Sequence, residues 1–67
     1  MNRIEINARP TDIPTGWRVS DLIEDLGYTG KRIAVEINGE IVVRGAHEAT
    51  VLRDGDRVEI VIAVGGG

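Results

Sequence analysis

Polar and apolar residues alternate through Arg3-Ile4-Glu5-Ile6-Asn7, the two-residue period of a strand with one buried face. The alternation then stops. Asn7 to Thr11 contains Pro10 and reads as a turn. Asp12-Ile13-Pro14 is expected to be a short strand at a sheet edge, because proline cannot donate to a central ladder. Thr15-Gly16 closes this segment. Val19, Leu22, Ile23 and Leu26 recur at i, i+3, i+4 and i+7, with Asp21, Glu24 and Asp25 on the opposite side. That pattern predicts an amphipathic helix from Val19 to Leu26, about two turns long. Gly27 stands where a helix closes through a left-handed residue. The helix start is poorly marked, since Arg18 holds the place where Ser, Thr or Asp would cap it.

Strand periodicity resumes at Ile33-Ala34-Val35-Glu36-Ile37 and is cut by Asn38-Gly39, a tight-turn dipeptide. Ile41-Val42-Val43 continues on the far side of that turn. Gly45 to Val51 shows no period, so His47, Glu48 and Thr50 are expected on an exposed irregular loop. Asp54-Gly55-Asp56 marks a further turn. It leads into Arg57-Val58-Glu59-Ile60-Val61-Ile62-Ala63-Val64, the longest β run of the chain. Strand side chains alternate between faces, so Val58, Ile60, Ile62 and Val64 belong to the core. The other face changes from charged to apolar along Arg57, Glu59, Val61 and Ala63. Val61 and Ala63 are therefore candidate partner-binding residues, and Val64, which leads into the glycines, is a third.

A single helix among these strands must cover one face of one sheet. If the first and last strands are adjacent and parallel, the helix lies in the crossover that such a link requires. The fold class is then α+β, a β-grasp or ubiquitin-like arrangement with a mixed sheet of four to five strands covered by one main helix. Residues 1–64 would form this domain and residues 65–67 a flexible glycine tail.

Composition narrows the chemistry. Sixty-seven residues suffice for one domain, and a chain of this size buries only about 60% of its unfolded surface. A walled catalytic cavity would consume most of the core, and no nucleophile–base pair stands out. The chain is thus expected not to be an enzyme. It has no cysteine, which removes disulfides, thiolate metal sites and a thiol nucleophile. No metal or other cofactor is expected. His47 is the sole histidine and lacks ligand-spaced neighbours. The net charge is −3, basic residues are interleaved with acids, and Trp17 and Tyr28 are the only aromatics. Nucleic acid is an improbable partner on those grounds. Trp17, just before the helix, is either a staple against the core or an exposed interface anchor. No apolar stretch approaches the roughly 20 residues needed to cross a bilayer, nor does the N-terminus resemble a signal peptide. A cytoplasmic protein is expected.

One reactive group is left. Gly65-Gly66-Gly67 follows the last strand directly. Glycines lose the most conformational freedom on ordering and contribute nothing to a core. They are slender, and three extended residues reach about 10 Å, enough to thread a narrow channel with Gly65 and Gly66 and deliver the Gly67 carboxylate. Adenylation would make that carboxylate an electrophile, which a sulfur nucleophile could convert to a thiocarboxylate. The catalytic groups for these steps would reside on a partner.

Four stretches, in this order and spacing, make the chain similar to the ThiS family of sulfur carriers. They are Gly16-Trp17-Arg18-Val19-Ser20-Asp21-Leu22-Ile23, Val35-Glu36-Ile37-Asn38-Gly39-Glu40-Ile41-Val42, Leu52-Arg53-Asp54-Gly55-Asp56-Arg57-Val58-Glu59-Ile60 and Val64-Gly65-Gly66-Gly67. The resemblance implies that a ThiF-like enzyme adenylates Gly67. It implies a sulfur donor such as a cysteine desulfurase, and transfer of the sulfur to thiazole synthase for thiamine biosynthesis. Arg18 departs from the family, which often has a capping Thr there. The molybdopterin-synthase small subunit shares this fold and chemistry, but such chains are usually longer. Other β-grasp sulfur carriers, or a ubiquitin-like binding module indifferent to its tail, remain as alternatives.

Overall fold

The computed structural model describes residues 1–63. In chain order the elements are β1 (Asn2–Ile6), β2 (Arg9–Ile13), α1 (Val19–Asp25), β3 (Ile33–Ile37), β4 (Glu40–Val42), a short 3-10 turn (Arg44–Ala46) and β5 (Arg57–Ile62). The strands form one sheet in the order β2-β1-β5-β3-β4. β1 and β5 run parallel, while the β1·β2, β3·β4 and β3·β5 pairs are antiparallel. The mixed five-stranded sheet with one helix is the β-grasp arrangement read from the sequence, with the first and last strands adjacent at its centre.

The first hairpin differs from the expectation. The turn is confined to Asn7 and Ala8, both with positive φ (49° and 70°), and β2 begins at Arg9 and includes Pro10. The register explains how the sheet accepts proline. Pro10 faces Glu5, whose own N–H donates the other way, to the Asp56 carbonyl at 2.9 Å. Pro10 thus occupies a position whose N–H would point out of the sheet edge, where none is needed.

α1 lies on one face of the sheet through Val19, Leu22 and Ile23, all buried. They meet Ile4 of β1, Ile13 of β2, Val35 of β3, and Val58 and Ile60 of β5, and Leu52 closes the cluster from the segment between β4 and β5. Trp17, Leu26 and Tyr28 are half-buried and pack against this core, so Trp17 acts as the staple while keeping one side in solvent.

Both ends of α1 are satisfied without an N-cap side chain. The Arg18 guanidinium has no acceptor to offer. Instead the Asp21 carboxylate accepts from the Arg18 N–H at 2.9 Å, the helix-side half of a capping box. The Val19 and Ser20 amides donate to the carbonyls of Thr50 (2.9 Å) and His47 (3.1 Å). At the other end Gly27 (φ 77°) is left-handed. Its N–H donates to Glu24 and the Tyr28 N–H to Ile23, the paired bonds of a Schellman motif.

This capping role corrects the picture of residues 45–51 as an exposed irregular loop. His47 and Thr50 are half-buried, and only Glu48 of the three stands exposed. The His47 Nε2 sits 3.2 Å from the Val42 carbonyl oxygen, where the tautomer protonated there donates. Thr50 Oγ1 donates to the Ala46 carbonyl at 2.7 Å. Val43, expected within the fourth strand, instead precedes the 3-10 turn and is exposed.

Candidate functional site

Every candidate site residue lies on or beyond β5, so the placement of that strand defines the site. β5 is central, with β1 on one side and β3 on the other. On the β3 side the pairing runs from Ile37↔Val58 to Ile33↔Ile62, and the Ala63 N–H still donates to the Arg32 carbonyl at 2.9 Å. On the β1 side the backbone ladder is short, Glu5↔Arg57 and Ile6↔Val58, because β1 turns away at Asn7.

Asn7 extends that ladder with its side chain. Its Oδ1 accepts from the Ile60 N–H at 2.8 Å and its Nδ2 donates to the Ile60 carbonyl at 3.1 Å. A carboxamide presents its C=O and one N–H side by side, much as the N–H and C=O of a single strand residue point the same way, so it serves Ile60 as the next strand residue would. The positive φ of Asn7 turns the backbone into the hairpin while the side chain stays on β5, and Asn tolerates that conformation better than most residues. Sequence reasoning missed this role: the partners are 53 positions apart, and Asn7 reads locally as an ordinary turn residue.

The two faces of β5 are as the alternation predicts. Val58 and Ile60 are buried and Ile62 is half-buried, whereas Arg57, Glu59, Val61 and Ala63 are exposed. Val61 is 62% exposed and stands opposite Ala34 of β3. Val61, Ala63, Ala34 and Ile33 line a shallow depression of about 340 Å³ with Arg32 and Arg44 at its rim. The structure therefore joins two of the three partner-binding candidates, Val61 and Ala63, in one apolar patch at the end of the sheet. Val64, Gly65, Gly66 and Gly67 lie outside the described residues.

Elsewhere the surface offers little chemistry. A depression of about 480 Å³ beside α1 carries Glu24 and Glu48 together with Lys31 and Arg44, so it favours no single ligand charge. Among the described residues, no three His, Asp or Glu side chains cluster in a way that could hold a metal ion. No helix among them is long and apolar enough to cross a membrane.

A central last strand, held on both sides and carrying an apolar patch at its outgoing end, places the chain in the ubiquitin-like class of β-grasp proteins. The ThiS family model matches residues 4–67. The chain belongs to the ThiS family. Its fold is similar to the crystal structure of the thiamine biosynthesis protein ThiS from Geobacter metallireducens, with a TM-score of 0.82 and 32% identity over 97% of this chain and 99% of that one. It is 35% identical to a thiazole synthase of Magnetococcus marinus over 97% of this chain, which spans 20% of that relative's length. It is 34% identical to the uncharacterised protein ycf40 of Porphyra purpurea, over 96% of this chain and 90% of the relative.

Proposed function

We propose that the chain is a sulfur carrier for thiamine biosynthesis in the cytoplasm, a protein co-substrate whose reactive group is the Gly67 carboxylate. A ThiF-like enzyme adenylates it: a carboxylate oxygen attacks the α-phosphorus of ATP and pyrophosphate departs. The terminal sulfur of a persulfide formed on a donor such as a cysteine desulfurase attacks the acyl carbon and AMP leaves, giving an acyl disulfide. A thiol then attacks the donor-side sulfur, a disulfide forms between them, the original S–S bond breaks, and Gly67 is left as a thiocarboxylate. Thiazole synthase then takes the sulfur for the thiazole ring.

The observation that carries this reading is the reach of the family match, which continues past the described residues through residue 67. Three features of the chain support it. Ala63 is tied to the Arg32 carbonyl, which fixes the point from which residues 64–67 depart. Four extended residues reach at most about 14 Å, so the folded domain can dock outside a channel while Gly67 sits within it. No cysteine competes as a nucleophile, and the chain supplies an acyl group instead. The thiazole synthase relatives favour the thiamine branch over a molybdopterin-synthase subunit.

Intact-protein mass spectrometry after incubation with ATP, a ThiF-like enzyme and a sulfur donor tests the proposal. The expected product carries one sulfur in place of one oxygen at Gly67. One extra residue after Gly67 should abolish loading and leave the melting temperature unchanged, because Gly65-Gly66-Gly67 has no side chain to bury. Undiminished loading of the extended chain would overturn the carrier reading in favour of a binding module.

A further inference from the structure

Lys31 is the sole lysine, every other basic side chain being arginine. The difference matters to a chain that carries an activated acyl group. A guanidinium stays protonated and does not attack such a group, whereas a lysine amine does. The fold sets this one amine beside the point from which the tail departs. The Ala63 N–H donates to the Arg32 carbonyl at 2.9 Å, and Lys31 is the residue just before Arg32. Its backbone is anchored, for the Lys31 N–H donates to the Tyr28 carbonyl at 3.0 Å. Its side chain is exposed, with Nζ 5.9 Å from the centre of the Tyr28 ring, the outer limit of a cation–π contact. Lys31 lines the depression beside α1, which shares Ile33 and Arg44 with the depression at Ala63. The α-amino group of Met1 lies toward the opposite end of the sheet, where the Gly55 N–H donates to the Arg3 carbonyl at 2.8 Å ahead of β5.

Resting on the carrier reading, we infer that Lys31 is an internal acceptor for the activated Gly67 acyl group and closes the tail into a lactam when no sulfur nucleophile arrives. The lengths agree. Paired strand residues stand about 5 Å apart and successive Cα atoms 3.8 Å, so the Cα atoms of Lys31 and Ala63 lie within about 9 Å. Residues 64–67 reach at most about 14 Å, and glycine's access to both signs of φ lets a chain reverse within that length. The long lysine stem covers part of the remaining gap. The unprotonated Nζ attacks the Gly67 acyl carbon, the bond from that carbon to the phosphate oxygen breaks, AMP leaves, and the nitrogen gives up a proton to water. The product is an amide one water lighter than the free chain. A link this short presents the amine at about millimolar effective concentration, above that of a second chain in a dilute assay. A tail extended into the enzyme's channel holds the acyl carbon away from Lys31, so the reaction belongs to adenylate that leaves the channel before sulfur reaches it. The amide is a poor electrophile, and closure retires that chain as a carrier.

The test incubates the full chain with ATP and the ThiF-like enzyme and omits the sulfur donor. Pyrophosphate release is followed beside intact-protein mass spectrometry. The wild-type chain should accumulate a species one water lighter, and fragmentation should join Gly67 to Lys31. Lys31→Arg should release pyrophosphate as the wild type does and lose that species. Its rate of formation should not depend on chain concentration. Pyrophosphate release without the lighter species in the wild type would overturn the inference, as would its persistence in Lys31→Arg or its replacement by a dimer whose yield rises with concentration. If no pyrophosphate is released, the carrier reading fails, and a chain prepared as the Gly67 thioester decides the inference alone. There the wild type should expel the thiol and form the lactam, whereas Lys31→Arg should only hydrolyse; hydrolysis alone in both would overturn the role of Lys31.

Discussion

The two faces of β5 are a side chain apart and differ in what they do. Toward the helix, Val58 and Ile60 are 1% and 5% exposed and lie in a cluster with side chains from every layer of the molecule. Toward solvent, Glu59 and Val61 lie on the same strand but are exposed, Glu59 beside Arg57 and Glu36 and Val61 opposite Ala34. A residue on the inner face is constrained by packing, and one on the outer face by whatever docks there. Stability and docking are therefore expected to separate by odd and even positions along a single strand.

The sharpest way to break that comparison is a pair of truncations one residue apart. Ile60→Ala should cost about 2–5 kcal/mol, the range for removing a buried aliphatic side chain and leaving a cavity. That could exceed the stability of a domain this small, so urea unfolding should be followed at low temperature. Val61→Ala should change the unfolding midpoint by under about 0.5 kcal/mol, as exposed substitutions generally do, and yet raise KM for adenylation. A stability loss at Val61 comparable with that at Ile60 would mean that the outer face is part of the fold.

Next in size is Asn7→Ala, which removes the two bonds that replace a β1 residue beside Ile60. The Ile60 N–H and carbonyl would lose their partner on that side, at a cost of about 1–3 kcal/mol. Hydrogen exchange should show the Ile60 amide losing protection selectively, while amides in α1 keep theirs. Uniform loss of protection would show that Asn7 supports the whole sheet and not the outgoing end of β5.

Much of this architecture is legible in the sequence because it rests on local period. The stripe Val19, Leu22, Ile23, Leu26 predicts the helix to within its capping residue, and the alternation from Val58 to Ile62 assigns both faces of β5. Asn38-Gly39 marks a turn in which both residues take positive φ (52° and 86°). What stays hidden depends on long-range pairing. Pro10 reads as a breaker, and only its place opposite Glu5 on the free edge makes it a strand residue. Arg18 reads as a missing cap, whereas the first helical amides are met by carbonyls about thirty positions away in sequence, at His47 and Thr50. The patch at Val61 and Ala63 is visible from alternation, but that Ala34 of β3 and Arg44 join it requires the β3·β5 register and the folded loop, which no local pattern supplies.

The hairpin that sets the register of β1 offers a smaller effect of opposite sign. A one-residue slip would exchange the inner and outer faces of a strand, so the turn guards the distinction between them. Ala8 sits at φ 70° with a Cβ, a left-handed conformation that costs an L-residue about 1–2 kcal/mol. Ala8→Gly should therefore stabilise the domain by about 0.5–1 kcal/mol, the gain in native strain being partly offset by the freer unfolded chain. Destabilisation on denaturant unfolding would show that the Ala8 methyl makes contacts worth more than its strain.

The smallest effect concerns an ion pair on the outer face, Arg3 Nε to Asp12 Oδ1 at 2.9 Å. Its geometry is good, for the Arg3 Nη2 also reaches Asp12 Oδ2 at 3.4 Å, yet both groups are open to water. The hydrogen bond from Arg3, and then its charge, holds the Asp12 carboxyl below its ordinary pKa. A carboxyl with a lowered folded pKa binds fewer protons in the folded chain than in the unfolded one, so its contribution is present above the ordinary carboxylate range. It is lost as pH falls through the folded value. Asp12→Asn should thus lower the urea midpoint slightly at neutral pH, and the difference should vanish at low pH and shrink in high salt. The paired Arg3 titrates far above this window and leaves the sign unchanged. A large difference at neutral pH, surviving in salt, would make this exposed pair part of what holds the fold and would contradict the division between the two faces of the sheet. A small, screened difference would place it with the other exposed pairs, which add little to stability even when well formed.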